Sequence, residues 1–376
     1  MTAADSWFTD PLGGSSDAEW DELAGSHFYC SAYWLRLCAL ESATGGGVRV
    51  EVDGGGRAAV PVARVGFDPH PNVNWNYRLD QAGLPRIAPH GIAVAQIRGY
   101  LTHLLTTPGT DRVAAAAAVL AAVRAARTDL DDGVRVGLYL TSPDVEVFRA
   151  AGVEAVPVAL SLDATVPIPG SRAAWLAAMT GHRSRRIRSE VRRFEAAGYQ
   201  VSRHRLDEVY ADVGRLAAQV QHRYGFDIDV DALVEGFRQH GSFARERAQV
   251  LLCRLDGLAV ACSVFYRDGD TVYLRAAGFD YQKVGRSGEY TALVFWLPSG
   301  LPGVRKLHLG GGSPEAKALR GARLTALWLL DLSENSALIA HEKLLREHNR
   351  RRYEGLLEGP AAVAAALEPA EWEAYI

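Results

Sequence analysis

The sequence predicts a mixed α/β fold, and three observations carry that expectation. Residues 48–168 alternate stretches of strand pattern with stretches of helix pattern. Residues 249–254, 258–267 and 271–279 are apolar, β-rich runs joined by Asp256-Gly257 and Asp268-Gly269, and Asp-Gly between such runs signals a tight hairpin. Residues 270–297 read as a strand, a glycine turn and a helix with an apolar face at Leu293, Val294, Trp296 and Leu297. At 376 residues the chain is long for one domain, so two are expected, 1–170 and 171–376.

In order along the chain, residues 1–20 are a polar lead-in and 26–35 open a short helix. Residues 48–52 alternate, Asp53-Gly54-Gly55-Gly56 turns, and 58–65 return, which makes a β-hairpin. Helices are expected at 92–106 and 110–127, a strand at 136–140, a helix at 143–151 closed by Gly152, and a strand at 159–168. One long helix is expected over 171–197, stopping at Gly198, with others at 206–224 and 231–240. After the three-strand meander and its helix come a strand at 306–309, the loop Gly310-Gly311-Gly312, a short helix at 314–319, a strand at 324–332 and a basic helix at 336–353.

Hydrophobic residues make up 48% and charged residues 23%, with a net charge of −3, so any polyanion site must be a local patch. Cys30, Cys38, Cys253 and Cys262 show no CxxC and no zinc spacing, and the last two lie in core-like strands. No metal site and no tightly bound cofactor are expected. The first residues lack a basic region followed by an apolar one, and no long apolar run is present, so the expected location is cytoplasmic, without a membrane span.

Several residues are candidates for chemistry. Gly285 and Gly288 let the backbone turn tightly, and the helix that follows aims its free N–H groups at the turn. With Arg286 and Ser287 they form either an anion seat or an ordinary strand-to-helix turn. Glu289 is a candidate base or a helix cap; Tyr273 and Arg275 fall on one face of a strand by period two. Lys317, one of only four lysines, follows Gly311 and Gly312; it would hold a phosphate, stabilise an oxyanion or anchor the glycine loop. Asn74, Trp75 and Tyr77 would line a substrate groove or form an edge strand. Residues 182–193 hold Arg183, Arg185, Arg186, Arg188, Arg192 and Arg193. At about 100° per residue, Ile187, Val191 and Phe194 make a docking stripe, flanked by Arg185, Arg188 and Arg192 on one side and Arg183, Arg186 and Arg193 on the other. Arginine forks suit phosphate, so this is either a polyanion surface or a solvated face. Arg350, Arg351 and Arg352 add a second, smaller basic run.

The order of the second half, helices, antiparallel meander, glycine turn into a helix, then a further strand, resembles the GNAT acyltransferases. Residues 181–198, the hairpin Leu255-Asp256-Gly257-Leu258-Ala259-Val260 and the stretch Leu309-Gly310-Gly311-Gly312-Ser313-Pro314-Glu315-Ala316-Lys317 resemble the Fem-type branch, as does 28–35. The resemblance covers 170–332 well and 26–170 loosely. It implies tandem GNAT-like domains, each a mixed, mostly antiparallel sheet flanked by helices. It also implies an amide-forming acyltransferase that takes an aminoacyl group from aminoacyl-tRNA to the amine of a small molecule or peptide, in natural-product or cell-wall biosynthesis, with tRNA as partner. Gln282-Lys283-Val284-Gly285-Arg286-Ser287-Gly288 has one residue more before its second glycine than the coenzyme A signature of GNAT proteins. An acyl-CoA-dependent N-acyltransferase and a non-catalytic binding protein are the alternatives.

Overall fold

The computed structural model describes residues 7–8, 10–41, 44–66, 71–126, 133–285 and 287–376. It divides into two compact units, one of residues 1–163 with 325–376 and the other of residues 164–324. The expected boundary near 170 is close to the first crossing point. Residues 325–376, however, group with the first unit, because their strand pairs there and sequence order carries no signal of that return.

In the first unit, β1 (Gly45–Val52) and β2 (Gly56–Val65) form the expected hairpin. β2 also pairs antiparallel with β3 (Gly91–Val94) and with the two-residue β4 (Leu105–Thr106). β3 runs parallel to β5 (Val134–Thr141). The expected helix at 92–106 is therefore replaced by two strands. Gly91 decides this locally, since a Cβ there would lie 2.0 Å from the Val134 carbonyl oxygen, and such close backbone approach needs glycine. β6 (Val158–Pro167) leaves this unit after Asp163, and β12 (Arg323–Asp331) returns to pair antiparallel with β5. The core gathers Val65, Trp75, Leu79, Leu138, Leu327 and Leu345. Asn349, on the helix Glu342–Glu358, is fully buried; it donates to the carbonyls of Pro157 and Tyr375 and accepts from the Ala159 N–H.

In the second unit, β7 (Gln200–Arg205), β8 (Ala248–Leu255), β9 (Leu258–Asp268) and β10 (Thr271–Phe279) form an antiparallel meander. Asp256 and Gly257 both have positive φ, 50° and 78°, as the tightest hairpin turns require. β7 was not expected: five of its six residues are exposed, so this edge strand has no apolar alternation to reveal it. The single helix expected over 171–197 is two, Arg172–Ala177 and Gly181–Ala196. Leu206–Arg223 and Val230–Ala244 follow as expected. β11 (Lys306–His308) pairs parallel with β10 and antiparallel with the end of β6.

Candidate active site

β10 and β11 pair only through Thr271–Lys306, Val272–Leu307 and Tyr273–His308. β10 then continues six residues further, to Phe279, while β11 ends and the chain enters the glycine loop. The gap left beyond the last pair is where a pocket of ≈ 370 Å³ forms. Phe279, Tyr281 and Val284 line it from the end of β10 and its turn, Glu289 and Tyr290 from the helix start, Ser313 and Ala316 from beyond the glycine loop, and Arg223 and Tyr224 from the end of the helix Leu206–Arg223. The two glycine-containing stretches singled out in the sequence thus meet at one cavity.

Glu289 is its buried acid, 5% exposed at the first turn of Glu289–Thr291. Its Oε1 accepts from the Tyr199 hydroxyl at 2.6 Å and the Ser287 N–H at 3.1 Å. Oε2 has no hydrogen-bond partner among the described residues. Burial, then the neighbouring Glu289 carboxylate, pushes the Tyr199 phenol up to about 12, so Tyr199 stays a donor at neutral pH. Burial likewise takes Tyr290 to about 12. Arg223 stacks over the Tyr281 ring at 4.2 Å, and the Tyr224 hydroxyl is 3.1 Å from Ser313 Oγ. Residues 292–296 after the first turn are π-helical, and the buried Ser263 hydroxyl donates to the Leu293 carbonyl at 2.8 Å. π-turns occur often at functional sites.

The arginine helix packs directly on this turn. Gly288 has φ +94°, and a Cβ there would lie 2.3 Å from the Glu190 carbonyl oxygen. Gly288 is thus required by the helix packed against it. The buried Glu190 carboxylate accepts from the Thr291 hydroxyl, from Arg320 at 2.8 Å and from Arg186 at 3.1 Å. Burial alone would raise this carboxyl, but the hydrogen bond from Thr291 and the charge of Arg320 outweigh it and hold it below the usual carboxylate range. Arg186 is therefore tied down. Arg185, Arg188, Arg192 and Arg193 are exposed and Arg183 half-buried, and none makes an ion pair among the described residues. Ile187, Val191 and Phe194 are buried, as the stripe predicted.

The other sequence candidates separate from the pocket. Lys317 is 4% exposed, and its Nζ donates to the carbonyls of Leu309 and Gly310, both at 2.7 Å. Of the three roles open to it, the structure gives the loop anchor; its expected contact with reacting groups is corrected, because the ammonium is turned into the loop. Gly311 is half-buried and Gly312 exposed in that loop, with open space where a Gly312 side chain would go. Gly285 is exposed, with its N–H 3.5 Å from the Tyr199 hydroxyl. Arg286 lies outside the described residues. Tyr273 is buried, its ring 5.1 Å from that of His308. The β9–β10 register shifts between Leu274 and Ala276, so Arg275 is the extra residue of a bulge. The bulge breaks the period-two relation that put it on one face with Tyr273, and neither residue lines the pocket.

Asn74, Trp75 and Tyr77 belong to the first unit and form neither groove nor edge strand. Asn74 caps the helix Trp75–Gln81 by accepting from the Tyr77 N–H at 2.9 Å. Trp75 is 1% exposed and donates to the Ala88 carbonyl, while the Tyr77 hydroxyl accepts from Gln81. The amide-rich run is a helix start, a reading its Asn-x-x spacing allows. Cys30, Cys38, Cys253 and Cys262 are all buried outside disulfides. Among the described residues no cluster of His, Cys, Asp or Glu is suited to a metal, and no helix is long and apolar enough to cross a membrane.

Structural comparison bears on the fold. FemX superposes with a TM-score of 0.53 at 11% identity, over 85% of this chain and 95% of FemX. The fold is that of FemX. A C-terminal domain assigned to a lysylphosphatidylglycerol synthetase of Agrobacterium fabrum gives 0.51 at 12% identity, over 87% of this chain and 95% of that one. A conserved protein of unknown function from Bacteroides thetaiotaomicron gives 0.51 at 13%, over 89% and 98%. No family model matches the sequence, and no curated protein does. The mixed α/β reading of the sequence is thereby met, while identities this low speak to fold alone.

Proposed function

We propose that the chain is an amide-forming acyltransferase that moves an aminoacyl group from aminoacyl-tRNA to the amine of a small molecule or peptide. One observation carries the reading. The helix that abuts the pocket at Gly288 presents Arg185, Arg188 and Arg192 to solvent without ion-pair partners among the described residues. A long phosphate backbone would lie along that row while its acyl terminus enters the pocket, which suits a polyanionic donor. The Fem-type resemblance and the FemX fold support the same choice.

In this reading Glu289 Oε2 takes a proton from the acceptor amine as its nitrogen attacks the ester carbonyl. The carbon–oxygen bond to the tRNA hydroxyl then breaks, and the proton passes to that leaving oxygen. Tyr199 holds the carboxylate in place through Oε1. The Tyr290 phenol is a protonated donor for the oxyanion. Positioning supplies most of the rate, since the ester is already activated. The test is incubation of the purified protein with labelled aminoacyl-tRNA or labelled acetyl-CoA and a panel of amines. Amide formed from the tRNA donor alone supports the reading; consumption of acetyl-CoA alone replaces it with the N-acyltransferase alternative.

A further inference from the structure

The first unit holds a second cavity that plays no part in this chemistry. It measures ≈ 80 Å³ and is lined by Arg78, Gln81, His348 and Arg352 among apolar residues that include Leu79 and Leu329. One water occupies about 30 Å³ of liquid, so an oxyanion of a few heavy atoms fits. The polar lining is two arginines, a histidine and Gln81, and no carboxylate contributes. Arg78 Nε, Arg352 Nε and His348 Nε2 are buried and have no hydrogen-bond partner among the described residues. Buried polar atoms are rarely left so, and three cationic or protonatable groups left so together call for an absent partner.

The surroundings hold these groups in place. The Arg78 guanidinium lies close enough to the Tyr139 phenol for its charge to act on it, and stacks over the Tyr77 ring at 5.4 Å. Tyr139 has φ +57°, at a place where Leu329 faces the extra residues of a bulge in β5. Backbone strain of this kind persists where surrounding structure enforces it. His348 lies beside the Ala159 backbone, and its Nε2 is buried without a hydrogen-bond partner among the described residues. Among the described residues Arg352 hydrogen-bonds only the Leu160 carbonyl, at 3.4 Å. Burial, then the Arg78 charge, lowers the Arg352 pKa, and burial with the charges of Arg352 and Arg351 lowers that of His348.

We propose that Arg78, Arg352 and His348 form a binding site for a phosphoryl group, free or carried as a small phosphomonoester. Two guanidinium forks match the oxygens of phosphate, and a dianion balances two fixed charges with a protonated imidazole as the third donor. Binding of the dianion therefore favours proton uptake at His348.

The test is thermal unfolding and calorimetric titration of the full chain with inorganic phosphate, glycerol phosphate and acetate at matched ionic strength. Phosphate is expected to raise Tm while acetate does not; glycerol phosphate exceeding inorganic phosphate assigns the site to an esterified ligand, and the reverse order to the free ion. Arg352→Gln and His348→Gln each weaken phosphate binding about tenfold, the loss of one charge-assisted bond. Arg351→Gln, an exposed change on the same helix, leaves it intact. Without phosphate, Arg352→Gln is expected to raise Tm, because it relieves the repulsion with Arg78. Equal shifts by phosphate and acetate, equal loss in Arg351→Gln, or phosphate binding unchanged in Arg352→Gln overturns the proposal. So does a lower Tm for Arg352→Gln in phosphate-free buffer, which makes that arginine a structural prop.

Discussion

Replacing Arg185, Arg188 and Arg192 together with glutamine tests the polyanion row most directly. All three are exposed, and none has an ion-pair partner among the described residues, so their removal breaks no internal contact. Glutamine keeps comparable helix propensity, so the helix Gly181–Ala196 should persist. Each phosphate contact contributes about 0.7 to 0.9 to the slope of log affinity against log salt. Three contacts therefore account for a slope of roughly 2 to 2.7. Between about 50 and 200 mM salt the wild type should then lose about 20- to 40-fold more affinity for aminoacyl-tRNA than the triple variant. The assay is filter binding or fluorescence anisotropy across that salt series, with circular dichroism to verify the fold. Arg350→Gln is the control, since Glu347 and Glu354 already pair with Arg350. Equal salt slopes for wild type and triple variant, or equal flattening by Arg350→Gln, would refute the placement of the donor on this helix.

Other outcomes follow from single contacts. Glu289→Gln should lower turnover roughly 100- to 10,000-fold, the range of general-base loss, while donor affinity in anisotropy stays near wild type; a modest rate change with a large fall in Tm would leave only the cap. Gly288→Ala should destabilise by more than the roughly 1–3 kcal/mol of left-handed strain alone, because its Cβ also meets the Glu190 carbonyl, and chemical denaturation measures this. Lys317→Met should cost about 1–3 kcal/mol for each of the Leu309 and Gly310 carbonyls left without a partner, so Tm falls with activity instead of activity falling alone. The Glu190 carboxyl is held below its ordinary value of 4.5, so its contribution is present above that pH and fades as pH falls through the folded value. Acid unfolding of Glu190→Gln should lack that part of the wild-type slope below about pH 4.5.

The sequence by itself determined the local chemistry of this chain. Asp256-Gly257 set a hairpin because both residues adopt positive φ there. Ile187, Val191 and Phe194 set the buried face of the arginine helix, because helical period alone puts them together. The strand, turn and helix from 271 to 296 were legible for the same reason. Contacts between segments far apart in sequence were decided only by the tertiary structure. Nothing local marks β7, whose residues face water, or tells that β12 returns to the first unit to pair with β5. Lys317 followed three glycines and suggested an anion, yet burial against the Leu309 and Gly310 carbonyls made it an anchor. Tyr199 and Arg223 carry no motif; Tyr199 bonds the pocket residue Glu289, and Arg223 lines the pocket over Tyr281. Arg352 read as part of a basic run with Arg350 and Arg351, but the fold pairs those two with Glu347 and turns Arg352 towards Arg78 and His348. Charge is written in the sequence; whether a charge meets water, an acid or another cation depends on packing across hundreds of residues, and that only the folded chain decides.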